Sequence, residues 1–319
     1  MVNKAIVLIA SVAFVGVLVA TGCHSARSPE PLVDPVPQRA NLVASIEITE
    51  ILTDEDLVEA YDEAEKDPEM PQTLDEALDE IEEETGIDLT DFVKAVIFSD
   101  IECEDGYWGA FVTGTVDEED LIEAIEDETG GELTVYTHRG YDVYTDDSEE
   151  NAICFLSDDA FLVGTVDAVE DAIDVAAGYA TPLTGPVVDL YESLGDVWVR
   201  VAAAVPPETI GDATEDEVSI DSETLEHIEA IGAGLDKEGD QITLEVRVCL
   251  SSPVLAEGLK AVLFGARTYY RNTADMPAEA AEALDKIVFS RSGSCTVLIL
   301  KATVEEIQDM VEGMQEEIE

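Results

Sequence analysis

Short apolar runs recur along residues 41–182, a pattern typical of strands, and acidic stretches with a helical period separate these runs. Strands are predicted at residues 42–48, 93–98, 107–113, 133–136, 141–144, 152–156 and 161–163. Acidic amphipathic helices are predicted between and after these strands, at residues 73–85, 116–128 and 167–176. The first half of the chain therefore reads as a sheet with interleaved helices.

The second half has a similar order of elements. Strands are predicted at residues 197–205 and 242–250, a hairpin around Ser292 and Gly293, and helices at residues 222–231, 253–270 and 278–285. A final helix carries an apolar stripe made of Val304, Ile307, Val311, Met314 and Ile318. We therefore expect the α+β fold class, with two tandem domains at residues 41–182 and 183–319, each an antiparallel sheet with helices packed on one face. Duplication of one domain is a hypothesis that the matched order suggests.

An eight-residue motif occurs twice at predicted strand-to-helix junctions. Residues 110–117 (AFVTGTVD) recur as residues 160–167 (AFLVGTVD). In the first copy, Thr115 and Glu118 fit a capping box, and the pairs Thr73/Glu76 and Thr303/Glu306 repeat that spacing. The motif is therefore interpreted as a structural strand-to-helix junction and not as a binding loop.

The first 23 residues have the parts of an export signal. Lys4 precedes an apolar run at residues 5–20, and the small residues Ala20-Thr21-Gly22 lead to Cys23. This segment resembles the signal peptide and lipobox of prokaryotic lipoproteins, although Ala20 stands where leucine is usual. The resemblance implies that residues 1–22 are removed and that Cys23 carries lipid. The alternative is an uncleaved membrane anchor, since residues 5–22 are near the lower length limit for a spanning helix.

Residues 23–40 contain four prolines and are expected to form an extended tether between the lipid and the folded part. Both readings of the signal place the rest of the chain outside the cytoplasm. The expected location is the cell envelope, with the lipid in the outer face of the cytoplasmic membrane or in the outer membrane where one exists.

The charge of the chain excludes one class of partner. The chain has 74 acidic and 15 basic residues and a formal net charge of −59. Such a surface repels nucleic acid phosphates, which proteins neutralise with Lys and Arg. The acidity also fits a solvated surface, a saline habitat, or attraction of Ca²⁺ or of a cationic partner such as another envelope protein. The oligomeric state is left open.

Four cysteines remain after Cys23, and each lies in or beside a predicted strand: Cys103, Cys154, Cys249 and Cys295. Four cysteines allow three pairings, and the pairs Cys103–Cys154 and Cys249–Cys295 would place one disulfide in each domain. An oxidising space permits these bonds. Four buried free thiols are the alternative, and the spacings disfavour a zinc site.

Motifs that carry chemistry are missing from the sequence. It contains no HExxH helix, Walker phosphate loop, GxSxG turn or EF-hand loop. Gly232-Ala233-Gly234 lacks the third glycine of a dinucleotide fingerprint and is interpreted as the end of a helix. His227 is expected on a solvated acidic helix, and His138 in a turn between short strands. His24 lies next to the expected anchor. No catalytic residue, cofactor or metal ligand is therefore predicted.

The acidic clusters at residues 80–84 and 117–120 are predicted to be solvated helix faces, because helical carboxylates diverge and Ca²⁺ needs convergent oxygen ligands. The leading expectation is a non-enzymatic, lipid-anchored envelope protein that acts as a binding or interaction module. The alternative is an envelope carrier of a lipid or another apolar ligand, which would need a large apolar cavity.

Overall fold

The computed structural model describes residues 35–63, 71–103, 106–129, 131–146, 148, 150–204, 226–273 and 278–307. The chain divides into two compact units, which we call unit 1 and unit 2, between Thr184 and Gly185. This division lies close to the predicted boundary after residue 182. Within the described residues, no helix combines the length and the apolar character needed to cross a membrane.

Unit 1 is built around an antiparallel sheet. Its strands are β1 (Leu42–Glu47), β2 (Phe92–Asp100), β3 (Tyr107–Gly114), β4 (Thr134–His138), β5 (Tyr141–Thr145), β6 (Asn151–Ser157) and β7 (Ala160–Thr165). Its helices are α1 (Ile48–Leu52), α2 (Glu55–Glu63), α3 (Leu74–Thr85), α4 (Glu118–Thr129) and α5 (Val166–Ala176), with a 3₁₀ turn at Leu89–Asp91. The strand order is β1-β2-β3-β7-β6-β5-β4. Each predicted strand and helix of this half therefore exists, within a few residues at its ends.

Helices cover both faces of the unit 1 sheet, so the prediction of helices on one face is wrong. Tyr144 of β5 pairs with Val135 of β4, so these two side chains lie on the same face of the sheet. Neighbouring residues of a strand point to opposite faces, so Tyr136, the next residue of β4, lies on the other face. The Tyr136 hydroxyl donates to Glu170 of α5, whereas the Tyr144 hydroxyl donates to Glu118 of α4. Helices α4 and α5 therefore lie on opposite sides of the sheet.

The burial along β6 agrees with a sheet that is covered by helices on both faces. The consecutive residues Ala152, Ile153 and Cys154 are all buried, although they alternate between the faces. A sheet with one wet face would show alternating burial instead. The core of unit 1 therefore consists of two apolar layers that share one sheet.

Unit 2 is also built around antiparallel strands. Its strands are β8 (Val199–Ala203), β9 (Ile228–Glu238), β10 (Gln241–Leu250), β11 (Val288–Ser292) and β12 (Cys295–Thr303), in the order β8-β9-β10-β12-β11. Its helices are α6 (Pro186–Ser193), α7 (Pro253–Thr273) and α8 (Ala278–Lys286). Arg247 reaches Ser193 of α6, whereas its neighbour Val248 packs against the cluster of Leu250, Ala256 and Leu259 that includes α7. Helices therefore cover both faces of this sheet as well.

Two predictions for unit 2 are wrong. The helix expected at residues 222–231 is contradicted from Ile228 onwards, where strand β9 begins. Gly232 and Gly234 lie inside this strand and do not end a helix. A Cβ atom at Gly232 would lie 3.0 Å from Leu190, so the glycine lets α6 pack closely on the sheet. Helix α6 is not among the predicted elements. It begins at Pro186, a position where the missing backbone N–H of proline costs no helical hydrogen bond.

The capping predictions are confirmed at two helices and corrected at a third. Thr73 accepts a hydrogen bond from the Glu76 amide, and the Thr303 and Glu306 side chains accept from each other's backbone amides. At α4, however, Asp117 accepts from the amides of Glu119 and Asp120, so Asp117 replaces Thr115 as the cap. The shift follows because the helix begins at Glu118, two residues later than predicted, which puts Asp117 at the capping position.

The repeated motif marks two places where backbones approach closely. A Cβ atom at Gly114 would lie 2.4 Å from the Asp91 carbonyl oxygen, and one at Gly164 would lie 2.4 Å from the Trp108 carbonyl oxygen. Both glycines stand at the end of a strand that leads into a helix. The shared sequence therefore reflects a shared steric requirement.

The structure contains one of the two expected disulfides. Cys249 and Cys295 are paired residues of β10 and β12, and their sulfurs are bonded. Cys103 and Cys154 are free thiols. The bridge between them is absent because β3 and β7 separate β2, which precedes Cys103, from β6, which carries Cys154. Strands lie about 4.8 Å apart, so this separation exceeds the reach of a disulfide.

Replacement of Gly164 by alanine is predicted to destabilise unit 1 by about 2 kcal/mol or more, because the new Cβ atom overlaps backbone that cannot turn away. Urea unfolding followed by circular dichroism measures this loss. Gly131→Ala is the control, since no atom lies within 4 Å of its Cβ position, and it should change stability by less than about 0.5 kcal/mol. Equal effects of the two substitutions would contradict the steric explanation.

Candidate functional site

An open cleft of about 1310 Å³ lies in unit 1. One wall is formed by residues 115–117 and the first two turns of α4, and the Asp91 end of the 3₁₀ turn adjoins it. Tyr144 of β5 and Phe155 of β6 form the floor, and Leu156 with the turn at residues 157–158 completes the lining. The cleft therefore lies over the face of the sheet that α4 covers.

Carboxylates dominate the lining of the cleft. Eight of the fifteen lining residues are acidic, and none is basic: Asp91, Asp117, Glu118, Glu119, Asp120, Glu123, Glu126 and Asp158. A concave surface lined by one sign of charge focuses the field and raises the local concentration of oppositely charged ligands. The cleft is therefore suited to cations.

Aromatic rings form the floor of the cleft and continue into the core. The ring centroids of Tyr144 and Phe155 lie 6.3 Å apart, those of Phe155 and Phe161 5.9 Å apart, and those of Phe161 and Phe92 6.0 Å apart. Phe92 and Phe161 are buried, whereas Phe155 and Tyr144 are partly exposed and line the cleft. The row of rings therefore ends in an aromatic surface beside the carboxylates, where a cation can lie over a ring face.

A hydrogen bond joins the aromatic floor to the acidic wall. The Tyr144 hydroxyl donates to a carboxylate oxygen of Glu118 over 2.6 Å. This hydrogen bond, with burial and the charge of Glu118, raises the pKa of Tyr144 to about 12. Tyr144 is therefore a neutral phenol at physiological pH and holds one carboxylate in a fixed direction.

The carboxylates of the cleft do not converge on one point. Asp117 accepts two backbone amides of α4, and Glu126 accepts the Leu133 amide over 2.8 Å. Among the described residues, no group of three or more His, Cys, Asp or Glu side chains is arranged to hold a metal ion. The acidic charge is thus spread over a surface, which suits an extended cation better than a small ion.

His138 takes part in a structural contact between the β4–β5 hairpin and α5. Its Nε2 atom lies 2.7 Å from Asp174, and Arg139 donates to both oxygens of the same carboxylate over 2.8 and 3.1 Å. The Arg139 hydrogen bonds, helped by His138, lower the pKa of Asp174 to about 2. An ionised carboxylate of this kind fixes the hairpin and cannot donate a proton at neutral pH.

The remaining candidate residues lie apart from the cleft or outside the described residues. Cys23 and His24 belong to the latter group. His227 is exposed in a turn before β9 and lies 3.3 Å from the Ser251 hydroxyl. Cys154 is buried, and burial raises the pKa of its thiol to about 12, which leaves it protonated. The structure therefore brings none of the sequence-selected residues together into a site.

Sequence reasoning missed the cleft because its two walls come from distant parts of the chain. The acidic cluster at residues 117–120 was identified, but only as a solvated helix face. The signal that could have found the floor was the alternation along β5 and β6, which places Tyr144 and Phe155 on one face.

The hairpin contact generates a pH prediction. Because the folded pKa of Asp174 lies below its ordinary value, its contribution to stability is complete above about pH 4 and is lost as the pH falls towards 2. Arg139→Asn removes the guanidinium and tolerates the φ of 51° at this position. The pKa of Asp174, measured by carboxyl NMR titration, should then rise towards its ordinary value. The control Arg271→Asn should leave it unchanged, and an unchanged pKa in both variants would contradict the assignment.

No protein-family model and no curated protein matches this chain. Three crystal forms of TP0453 resemble it among solved structures. Crystal form III has a TM-score of 0.48 at 8% identity, with 89% of this chain and 98% of that chain covered. Crystal form I has a TM-score of 0.43 at 10% identity, with the same coverage, and crystal form IV has 0.45 at 9% identity, covering 88% and 96%. All three TM-scores are below 0.5.

Proposed function

We propose that the chain is a non-enzymatic binding module of the cell envelope, held by lipid on Cys23, and that the cleft of unit 1 binds an organic cation. The observation that carries the binding proposal is the cleft itself, with eight carboxylates, no basic residue and a partly exposed aromatic floor. Carboxylates supply attraction at a distance, and ring faces supply a contact for a desolvated ammonium group.

The chemistry of the lining favours an organic cation over a metal ion. A bound Ca²⁺ needs six to eight oxygen ligands from a shaped loop. Two of the cleft carboxylates are engaged by backbone amides, and a third accepts the Tyr144 hydroxyl. An extended polyamine or a basic peptide can instead match a spread of charge along α4.

The proposed anchor is supported by the sequence of residues 1–23, which lie outside the described residues. Residues 35–40 of the expected tether pack on unit 1 instead, since Val36 is buried and Pro37 forms a β-bridge with Pro182. The proline-containing residues 23–34, which lie outside the described residues, would then separate the folded units from the membrane surface. A membrane-attached module with a free cleft can bind ligands from the surrounding medium, which is the role we assign to it.

Duplication of one unit is part of the same proposal. In each unit, three strands follow one another in the sheet and two later strands join in reverse order, namely β1-β2-β3 with β7-β6 and β8-β9-β10 with β12-β11. Helices α4 and α7 follow the third strand in the two units. A strand-by-strand superposition of the units tests the duplication.

The alternative of a carrier for an apolar ligand has less support. Such a carrier needs a large apolar cavity. The cleft described above is open and lined mainly by carboxylates, which disfavours an apolar ligand.

Spermidine is predicted to bind the purified protein saturably, with an affinity that falls as salt rises, because exposed charges attract less in salt. The double substitution Glu119→Lys/Glu123→Lys should weaken binding at least about tenfold at low salt, as two attractive charges become repulsive. Phe155→Leu should weaken binding by a smaller factor, since it removes only the ring face. Isothermal titration calorimetry measures both changes.

The matched control is Glu192→Lys/Glu229→Lys, which makes the same change in net charge at exposed positions of unit 2. It should leave spermidine affinity nearly unchanged. Equal weakening by both double variants would show that the net charge and not the cleft is responsible. Ca²⁺ binding tighter than spermidine at equal ionic strength would overturn the ligand class.

Mature protein isolated from its native membrane is predicted to begin at Cys23 and to carry the mass of a lipid. The Cys23→Ala variant should lose that lipid, because no thiol remains to carry it, and should be held less firmly by the membrane. Intact mass spectrometry and fractionation measure both results. A full-length mass without lipid on Cys23 would overturn the anchor.

A further inference from the structure

Strand β4 lies at the end of the unit 1 sheet, and within the described residues one of its edges is free. In the described part of the chain its single neighbour is β5. Thr134, Val135 and Thr137 are exposed, with Val135 at 50%. Proteins usually protect such edges with Lys, Pro, bulges or a covering segment, because unpaired backbone groups recruit further strands. Strand β4 contains no Lys, no Pro and no register shift.

The hairpin turn determines which backbone groups of β4 point outwards. Arg139 and Gly140 both have positive φ, 51° and 95°, as in a two-residue type I′ turn. His138 and Tyr141 are then the closing hydrogen-bonded pair, and the alternation makes Tyr136 the next bonded residue of β4. The N–H and C=O groups of Val135 and Thr137 therefore point away from β5.

The free edge is held rigidly. Tyr136 donates to Glu170, and His138 and Arg139 bind Asp174, so alternate residues of the hairpin are fastened to α5. The exposed groups of Val135 and Thr137 thus stand in a fixed strand conformation. When a partner strand pairs with these groups, the hairpin therefore loses little further conformational entropy.

Charge identifies the strand that can pair there. Residues 133–141 (LTVYTHRGY) contain no acidic residue, although 74 of the 319 residues of the chain are Asp or Glu. Like charges directly opposite each other destabilise a strand pair. When two copies meet at this edge, no carboxylate of residues 133–141 faces another carboxylate across the new pair.

We propose that β4 is a self-association edge, at which two copies of the chain pair antiparallel and join their unit 1 sheets. A twofold axis at Tyr136 places Val135 opposite Thr137 of the second copy, so the outward N–H and C=O groups of these residues bond each other. The net charge opposes this contact, so salt strengthens it by screening.

The test is sedimentation velocity of the full chain without its lipid, up to about 1 mM protein and from about 0.1 to about 1 M NaCl. The wild type should form a dimer that tightens as salt rises. Val135→Pro removes an outward N–H that β5 does not use, and Pro is tolerated on edge strands. It should weaken the dimer at least about tenfold, with unchanged circular dichroism.

Val135→Thr is the matched control, because it keeps the N–H and the β-propensity, and it should dimerise like the wild type. Thr137→Pro is a second variant with the same expected loss. Hydrogen exchange adds a site-specific readout, since protection at the amides of Val135 and Thr137 should rise with protein concentration.

A chain that stays monomeric under all these conditions overturns the proposal. So does a dimer that both proline variants leave intact, or protection that rises elsewhere but not at Val135 and Thr137. None of these outcomes depends on the cleft or on its ligand, so this proposal and the proposed function can fail separately.

Discussion

Repulsion among carboxylates is the constraint on which the rest of this structure depends. With a net charge of −59, each contact between elements must keep acidic side chains apart or neutralise them. The few cations are placed at such contacts: Lys94 with Glu47, Arg139 with Asp174, Arg271 with Asp285, Lys286 with Glu306, and Arg291 with Glu257. Most of these pairs join residues far apart in sequence, so they connect different elements, whereas Lys260 with Glu257 and Lys286 with Glu282 are pairs within single helices.

Apolar burial supplies the cohesion that opposes this repulsion. Covering each sheet on both faces makes a strand such as β6 bury successive residues, which roughly doubles the apolar area that one strand contributes. Close packing then requires small residues at the crossings, as at Gly164 beside Trp108 and at Gly232 beside Leu190. Acidic residues are consequently left to the outer helix faces and to the cleft.

The sequence was sufficient where local periodicity decides the structure. The strands of unit 1, the caps at Thr73 and Thr303 and the long helix α7 follow from spacing alone. It was insufficient where contacts between residues distant in the sequence determine the structure. Residues 226–231 (EHIEAI) have a helical spacing of acids, but pairing with β8 and β10 makes residues 228–238 a strand. The absence of a Cys103–Cys154 bridge and the position of the cleft both follow from the strand order, which no local sequence pattern encodes.

The distribution of acidic residues gives the two exposed features of unit 1 opposite chemical characters. The cleft concentrates carboxylates around aromatic rings, so its field favours a cation and repels another copy of the chain. The β4 edge lacks acidic residues and presents free backbone groups, so it accepts a strand that the rest of the surface would repel. Both features lie on the β4–β5 hairpin, since Tyr144 of β5 faces the cleft and Val135 pairs with it on β4. The proposed association at the edge and the proposed binding in the cleft would therefore use the two different strands of one hairpin.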